Sequence, residues 1–263
     1  MSESASKPYE TILYEKNGPR ATITLNRPER RNATTLRMYE EILAAAKAAD
    51  KDPDVHVVIL TGAGTVFCAG QDNSATVSQD AGGYAYYEEV NRNTHLFLRT
   101  MSKPVIARVN GPAAGGGCIM ALLTADIVVA STTARFAVRE INSGLGGVVN
   151  MIYSVGRPRG LFMAMTGAWV QAEQAEQWGL IYKCTTPEQL DTEVDTVARM
   201  LEELPPLGVA ATKQRMAFIS SLQNQQALTD FCAAQNKVLH SSADRKEAQT
   251  AFLEKRKPKF QGR

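Results

Sequence analysis

Three short stretches of this 263-residue chain hold residue types able to steady a developing negative charge and to move a proton. The first is TVFCAGQDNS (65–74), where a strand-like run breaks at Gly70 into small polar residues. The second is the triplet Gly115, Gly116 and Gly117, which opens the apolar run CIMALL. Glycine loses more backbone freedom on folding than any other residue, so something must come close to the backbone there. The third is FAVREINSGLGG (136–147), where Glu140 stands between a short strand and a second glycine-rich turn. N–H groups at a helix start have no intrahelical acceptor and favour negative charge. One N–H from each of the first two stretches, with a carboxylate opposite, would make an oxyanion hole served by a general acid/base. Each signal also has a plainer explanation: a tight turn or close helix-to-sheet contact for the triplet, a loop for Gly70, an exposed charge for Glu140.

Other chemistries find no support. There is no GxxxxGK[ST], GGGCIM lacks the third glycine of a dinucleotide fingerprint, and neither GxSxG nor HExxH occurs. Cys68, Cys118, Cys184 and Cys232 form no CxxC, and His56, His95 and His240 are scattered, so no metal site or disulfide framework is expected. Twenty-nine Lys and Arg against 27 Asp and Glu leave +2, too little to argue for nucleic acid or an acidic membrane surface. The start, MSESASKPYE, has no apolar signal core, and Thr124 and Asp126 interrupt the apolar stretch 118–130 short of a membrane span. A cytoplasmic protein is expected.

The elements that must position these groups alternate between strand and helix. ATITL (21–25), VHVVILT (55–61), PVIARV (104–109), DIVVAS (126–131) and RFAV (135–138) predict strands. Residues 35–49 place Leu36, Tyr39, Ile42, Leu43 and Ala46 on one helical face, with Thr34 or Thr35 as N-cap, and 118–124 predicts a compact apolar helix. This rhythm argues for α/β architecture with parallel pairing. From Pro187 the pattern becomes helical, over 187–203, 206–221, 224–240 and a shorter closing segment, with LPPLG (204–208) as punctuation. A core over 1–203 and a helical region over 204–263 follow. No internal repeat is visible.

Several segments, in order, carry a resemblance: LNRPERRNA (25–33), VVILTGAGTVFCAGQD (57–72), KPVIARVNGPAAGGGCIMALLTADIVVA (103–130), ARFAVREINSGL (134–145), TGAWVQAEQAEQWGLI (166–181) and FLEKRKPKF (252–260). Together they resemble the enoyl-CoA hydratase/isomerase (crotonase) family over essentially the whole chain. The resemblance implies a spiral of ββα turns followed by helices that assemble homotrimers, commonly paired into hexamers. It implies that the amides of Gln71 and Gly116 grip a thioester carbonyl and that Glu140 is the acid/base. It also implies that Arg27, Arg31 and Ala33 lie near the CoA nucleotide and pantetheine, that Ala69, Gly70, Asp72 and Asn73 line the adenine and thioester, and that Gly115, Gly117 and Ile119 flank the acyl group. Coenzyme A would enter as the substrate's thioester, with no separate cofactor. Hydratases of this family carry two glutamates; here the first position is Ile119, and Arg139 replaces a usual proline beside Glu140. The leading expectation is hydration of a 2-enoyl-CoA through an oxyanion-stabilised enolate with one glutamate. Double-bond isomerisation with Glu140 as shuttle stands next, and a non-catalytic acyl-CoA-binding paralogue is the alternative from another class.

Overall fold

The computed structural model describes residues 9–72, 74, 81–222, 230, 233–234, 236–237 and 239–259. Strands β1 (Ile12–Asn17), β2 (Arg20–Leu25), β3 (Val57–Gly62) and β4 (Val105–Val109) lie in a larger sheet. Short β5 (Ala113–Ala114) leaves it, β6 (Ile127–Ser131) returns, and β7 (Arg135–Ala137) and β8 (Val170–Gln171) join β5 in a smaller sheet. With β9 (Lys183–Thr185), the larger sheet runs β1-β2-β3-β4-β6-β9, antiparallel at β1/β2 and parallel thereafter.

A parallel sheet is covered on both faces, so its strands read as continuous apolar runs. All six residues of β3, VVILTG, are buried. One face packs on α1 (Leu36–Lys51) within the main core. The other sets Val57, Ile59, Ile106 and Val129 against Leu190, Val194, Val197 and Ala198 of α6 (Leu190–Glu202). Helix α1 starts where Thr35 accepts a hydrogen bond from Met38 N, a cap worth about 1 kcal/mol. Its buried stripe is Met38, Tyr39, Ile42, Ala45, Ala46 and Ala49, whereas Leu36 and Leu43 are only half-buried. The predicted face is therefore rotated toward the alanines, which let the helix approach the sheet closely.

Although the sequence shows no repeat, the chain performs one move four times. Each turn lays a strand in the larger sheet, then a short extended segment, then helix. The series is β2, Thr34 and α1; β3, Cys68–Gln71 and α2 (Ala81–Thr100); β4, β5 and α3 (Gly116–Ile119); then β6, β7 and a 3₁₀ turn (Glu140–Ser143) leading to α4 (Ile152–Thr166). The extended segments stack side by side: Thr34 pairs with Gln71, Cys68 with Ala113, and β5 with β7. This is the α/β spiral of ββα turns that the resemblance implies. Its sequence periodicity is invisible because each turn needs only a strand, a bend and a helix, which many residues satisfy.

Helices α2, α4 and α5 (Ala172–Trp178) and strands β1 and β9 were not among the predicted elements. The predicted helices over 187–203 and 206–221 correspond to α6 and α7 (Pro206–Leu222), and the closing one to α8 (Ala243–Leu253); most of 224–240 lies outside the described residues. Among the described residues no helix is long and apolar enough to cross a membrane.

Candidate active site

The spiral puts the ends of its extended segments side by side, and each end carries one of the predicted site groups. The first turn brings the loop 27–33. Asn32, fully buried at φ 54°, accepts from Arg27 N through Oδ1 and donates through Nδ2 to the carbonyls of Ala63 and Val66. Arg27 donates to Ala33 O (2.7 Å) and pairs with Asp72 at 2.9 Å, both side chains being mostly buried. Arg27 and Asp72 thus tie the first loop to the second. Arg31, exposed and at φ 52°, leaves its guanidinium on the surface while its carbonyl accepts from Ala69 N. Asn73 lies outside the described residues.

The second turn delivers Gln71. Its flanking groups are occupied, since Gly70 O accepts from Thr34 N and Asp72 N donates to Thr34 O. The Gln71 N–H itself donates to no group among the described residues. Gly70 sits at φ +89°, and a Cβ there would stand 2.8 Å from Ala114 O, so only glycine lets this loop lie on β5. The third turn supplies the glycine triplet. Gly115 caps α3 at φ +50°, and its N–H donates to Ala137 O. Gly116 N, the first of the helix, makes no hydrogen bond among the described residues. Gly117 is required by packing: a Cβ there would meet Cys68 O at 2.4 Å and Cys68 Cβ at 2.6 Å. Part of what approaches this backbone is therefore the protein itself, and the close helix-to-sheet contact and the free amide coexist in one triplet.

The fourth turn carries Glu140 at the start of its 3₁₀ turn. Its Oε1 stands 3.4 Å from where a Cβ on Gly115 would be, and its Oε2 is buried with no hydrogen-bond partner among the described residues. Burial pushes the carboxyl up from 4.5 to about 7, against the opposing pull of the Glu140 and Arg139 backbone N–H groups. The exposed-charge alternative for Glu140 does not hold. Arg139 turns elsewhere, donating to Gly167 O at 2.9 Å and lying over the Trp169 ring. Ile119, half-exposed, donates its N–H to Gly115 O one helical turn back. The residue one helical turn on from Gly115 is thus aliphatic.

Sequence reasoning missed the groups that hold this arrangement from afar. Arg245 of α8, buried, donates to Ser143 O at 2.6 Å and so grips the turn that starts at Glu140. Tyr39, fully buried, stands behind Gly116. Asn32 alone left a signal, as an Asn in a loop of positive φ. Two unbonded amides on neighbouring turns, with a buried carboxyl of pKa about 7 beside the glycine triplet, are the groups that polarising a carbonyl and exchanging a proton with its α-carbon require.

Gly117→Ala is expected to melt lower, by about 1–3 kcal/mol of stability, and to lose turnover, because α3 must move off Cys68. Thermal melts and assays of the variant check this. A melt like wild type would mean that the helix start can shift freely.

The family model described as enoyl-CoA hydratase/isomerase matches residues 15–263. The chain is 35% identical to 1,2-epoxyphenylacetyl-CoA isomerase of Escherichia coli, across 97% of this chain and 99% of that protein. It is 34% identical to 2,3-dehydroadipyl-CoA hydratase of the same organism, across 92% and 94%. Among solved structures, an enoyl-CoA hydratase from Mycobacterium avium subsp. paratuberculosis superposes with a TM-score of 0.86 at 28% identity, covering 97% of this chain and all of that one.

Proposed function

Because the chain belongs to the enoyl-CoA hydratase/isomerase family, we propose that it forms an enolate from an enoyl-CoA thioester and shifts the carbon–carbon double bond, Glu140 carrying the proton. The observation that supports this is the buried Glu140 carboxyl beside the glycine triplet, its ionisation balanced near 7, with isoleucine and not a second glutamate at position 119. A proton shuttle must both accept and release, which is most efficient when its pKa lies near the working pH. In this reading Gln71 and Gly116 N–H hold the thioester oxygen. As it gains charge, Glu140 removes a proton from one carbon of the acyl chain and returns it to another. The CoA portion runs along Arg31, Ala33, Ala69, Gly70 and Asp72, with Arg27 bracing that surface through its Asp72 pair. Coenzyme A is part of the substrate.

Hydration is the second reading, favoured by relatives named as hydratases, among them 2,3-dehydroadipyl-CoA hydratase. Mass spectrometry after incubation with a panel of 2-enoyl- and 3-enoyl-CoA thioesters separates the two. Isomerisation gives a moved double bond at constant mass; a gain of one water would overturn it in favour of hydration. No change across the panel would leave an acyl-CoA-binding protein.

Ile119→Glu is expected to raise water addition to crotonyl-CoA and to lower isomerisation. A second carboxyl near Glu140 resists joint ionisation, so one of the pair titrates higher, and its burial costs roughly 1–3 kcal/mol of stability. Unchanged hydration in a well-folded variant would remove residue 119 from the reacting face. We further propose that the chain works as a homotrimer or paired trimers. The exposed apolar side chains Phe162, Met165, Leu207, Phe252 and Leu253 on α4, α7 and α8 support self-association.

A further inference from the structure

The turn that begins with Glu140 has no apolar anchor of its own. None of residues 139–150 is fully buried, yet Glu140 Oε2 is shut off from water. Inside the segment the ties are local: Asn142 N donates to Arg139 O, Gly144 N to Ile141 O and Leu145 N to Glu140 O. Such bonds, on backbone with little packing around it, open at low cost. What keeps the turn in one place must therefore come from outside it.

Two outside ties come from far along the chain. Arg245, 4% exposed in the first turn of α8, donates through Nη1 to Ser143 O at 2.6 Å, 102 positions away. Asn236 Oδ1 accepts from Gly146 N at 3.0 Å, 90 positions away. Between these two contacts Gly144, at φ +73°, lies so close to α8 that a Cβ would stand 3.0 Å from Arg245 Cα. The start of α8 is fixed in turn by its cap, Ser242 Oγ accepting from Arg245 N at 3.0 Å. A buried guanidinium is desolvated at a cost that an aliphatic side chain would avoid. Here its Nη1 serves the turn that carries the acid/base.

We propose that Arg245 is a positioning residue: by holding Ser143 O it keeps the Glu140 turn seated on α8, so that the carboxyl stays beside the glycine triplet and out of water. The assignment rests on the enolate reading above and adds that the C-terminal region sets the acid/base. Without this tie the turn swings and water reaches Oε2. A displaced carboxyl moves protons less well, whereas Gln71 N and Gly116 N, on other turns of the spiral, still hold the thioester. Water also favours the charged carboxylate, so its pKa falls from about 7 toward the ordinary 4.5. Mere loss of a nearby cation would do the reverse. Of the other groups around the turn, the Cys118 thiol faces Glu140 and is kept neutral by burial and by that carboxyl. The Arg139 guanidinium is engaged on Gly167 O. Asp244 O borders Gly144, and His240 lies near Arg245, its pKa held at about 4 by burial and by that cation.

Arg245→Met and Arg245→Lys test this. A positioning role predicts that kcat of Arg245→Met falls about tenfold or more, with KM changed only a few-fold. The midpoint of its kcat/KM–pH profile should drop by roughly half a unit or more. Midpoints are compared in a His240→Gln background, because His240 can take up a proton once Arg245 is gone. Lysine can donate to the same carbonyl, so Arg245→Lys should restore most of kcat and of the midpoint. Should Arg245→Met fail to fold, Gly144→Ala pushes the turn off the same contact from the other side and carries the same prediction. A midpoint that stays or rises, or a loss of kcat that lysine does not relieve, would overturn the role of Arg245. A wild type with no step near pH 7 would instead overturn Glu140 as the acid/base, and the proposal with it.

Discussion

Glu140→Gln is expected to lower turnover by roughly 10²-fold or more and to leave acyl-CoA binding near wild type. The amide keeps the shape of the carboxyl but cannot take a proton from carbon, and the amides of Gln71 and Gly116 are untouched. Steady-state assays with isothermal titration of the thioester check both halves. Near-normal turnover would remove Glu140 from the mechanism. The pH dependence sharpens the test. Proton abstraction needs the ionised carboxylate, so wild-type kcat/KM should climb as pH rises through about 7, where burial has placed this group. Any residual activity of the variant should lack that step. Stability follows the opposite course. A carboxyl whose pKa is raised from 4.5 to about 7 on folding favours the fold in its protonated form. Its contribution is complete below 4.5 and is lost as pH rises through 7. The variant should therefore gain on the wild type in melting temperature between pH 5 and pH 8. A gap that is flat with pH would show that Glu140 titrates normally.

Lys213→Met is expected to cost about 1–3 kcal/mol, because it removes a buried ammonium and leaves two backbone carbonyls and the partly exposed Asp126 carboxylate without their donor. Lys213, on α7, is buried, and its Nζ donates to Leu98 O (2.7 Å), Lys103 O (2.9 Å) and Asp126 Oδ2 (2.6 Å). One ammonium thus joins α7 to the end of α2, to the segment before β4 and to the entrance of β6. Burial lowers the Lys213 pKa and raises that of Asp126, a desolvation cost that their pairing offsets in part, with Val105 N and Arg99 also favouring the Asp126 carboxylate. Urea denaturation of wild type and variant measures the loss; a difference under about 1 kcal/mol, the range of an exposed pair, would sink this view of the contact. Adding Asp126→Leu should recover only part of the stability, since Val105 N also donates to Asp126 Oδ2 and would lose its acceptor.

The chain's local chemistry was legible without coordinates. β2, β3, β4 and β6 follow from β-branched apolar runs, and α1 follows from its cap and apolar spacing. The triplet 115–117 announced a place where side chains are forbidden, and Glu140 stood out as the one carboxylate between a strand and a glycine turn. These signals reside in single residues and their near neighbours, which is why a sequence displays them. Helix α2 escaped notice because AGGYAYYEEV has two glycines in its first turn, which weaken any helical signal; α4 likewise holds Gly156 and Pro158. The fourfold turn was hidden because its extended segments are one to four residues long and are defined by pairing across the chain, as Thr34 is with Gln71. Only the folded chain could decide that Glu140 titrates near 7, since that depends on water being excluded by elements far away in sequence. The same holds for Arg27, whose cation is drawn to Asp72 across 45 positions. Residue types and short spacings are written along the chain. Burial, ion pairing and the direction in which a donor points arise from long-range packing, and so only the tertiary structure settled them.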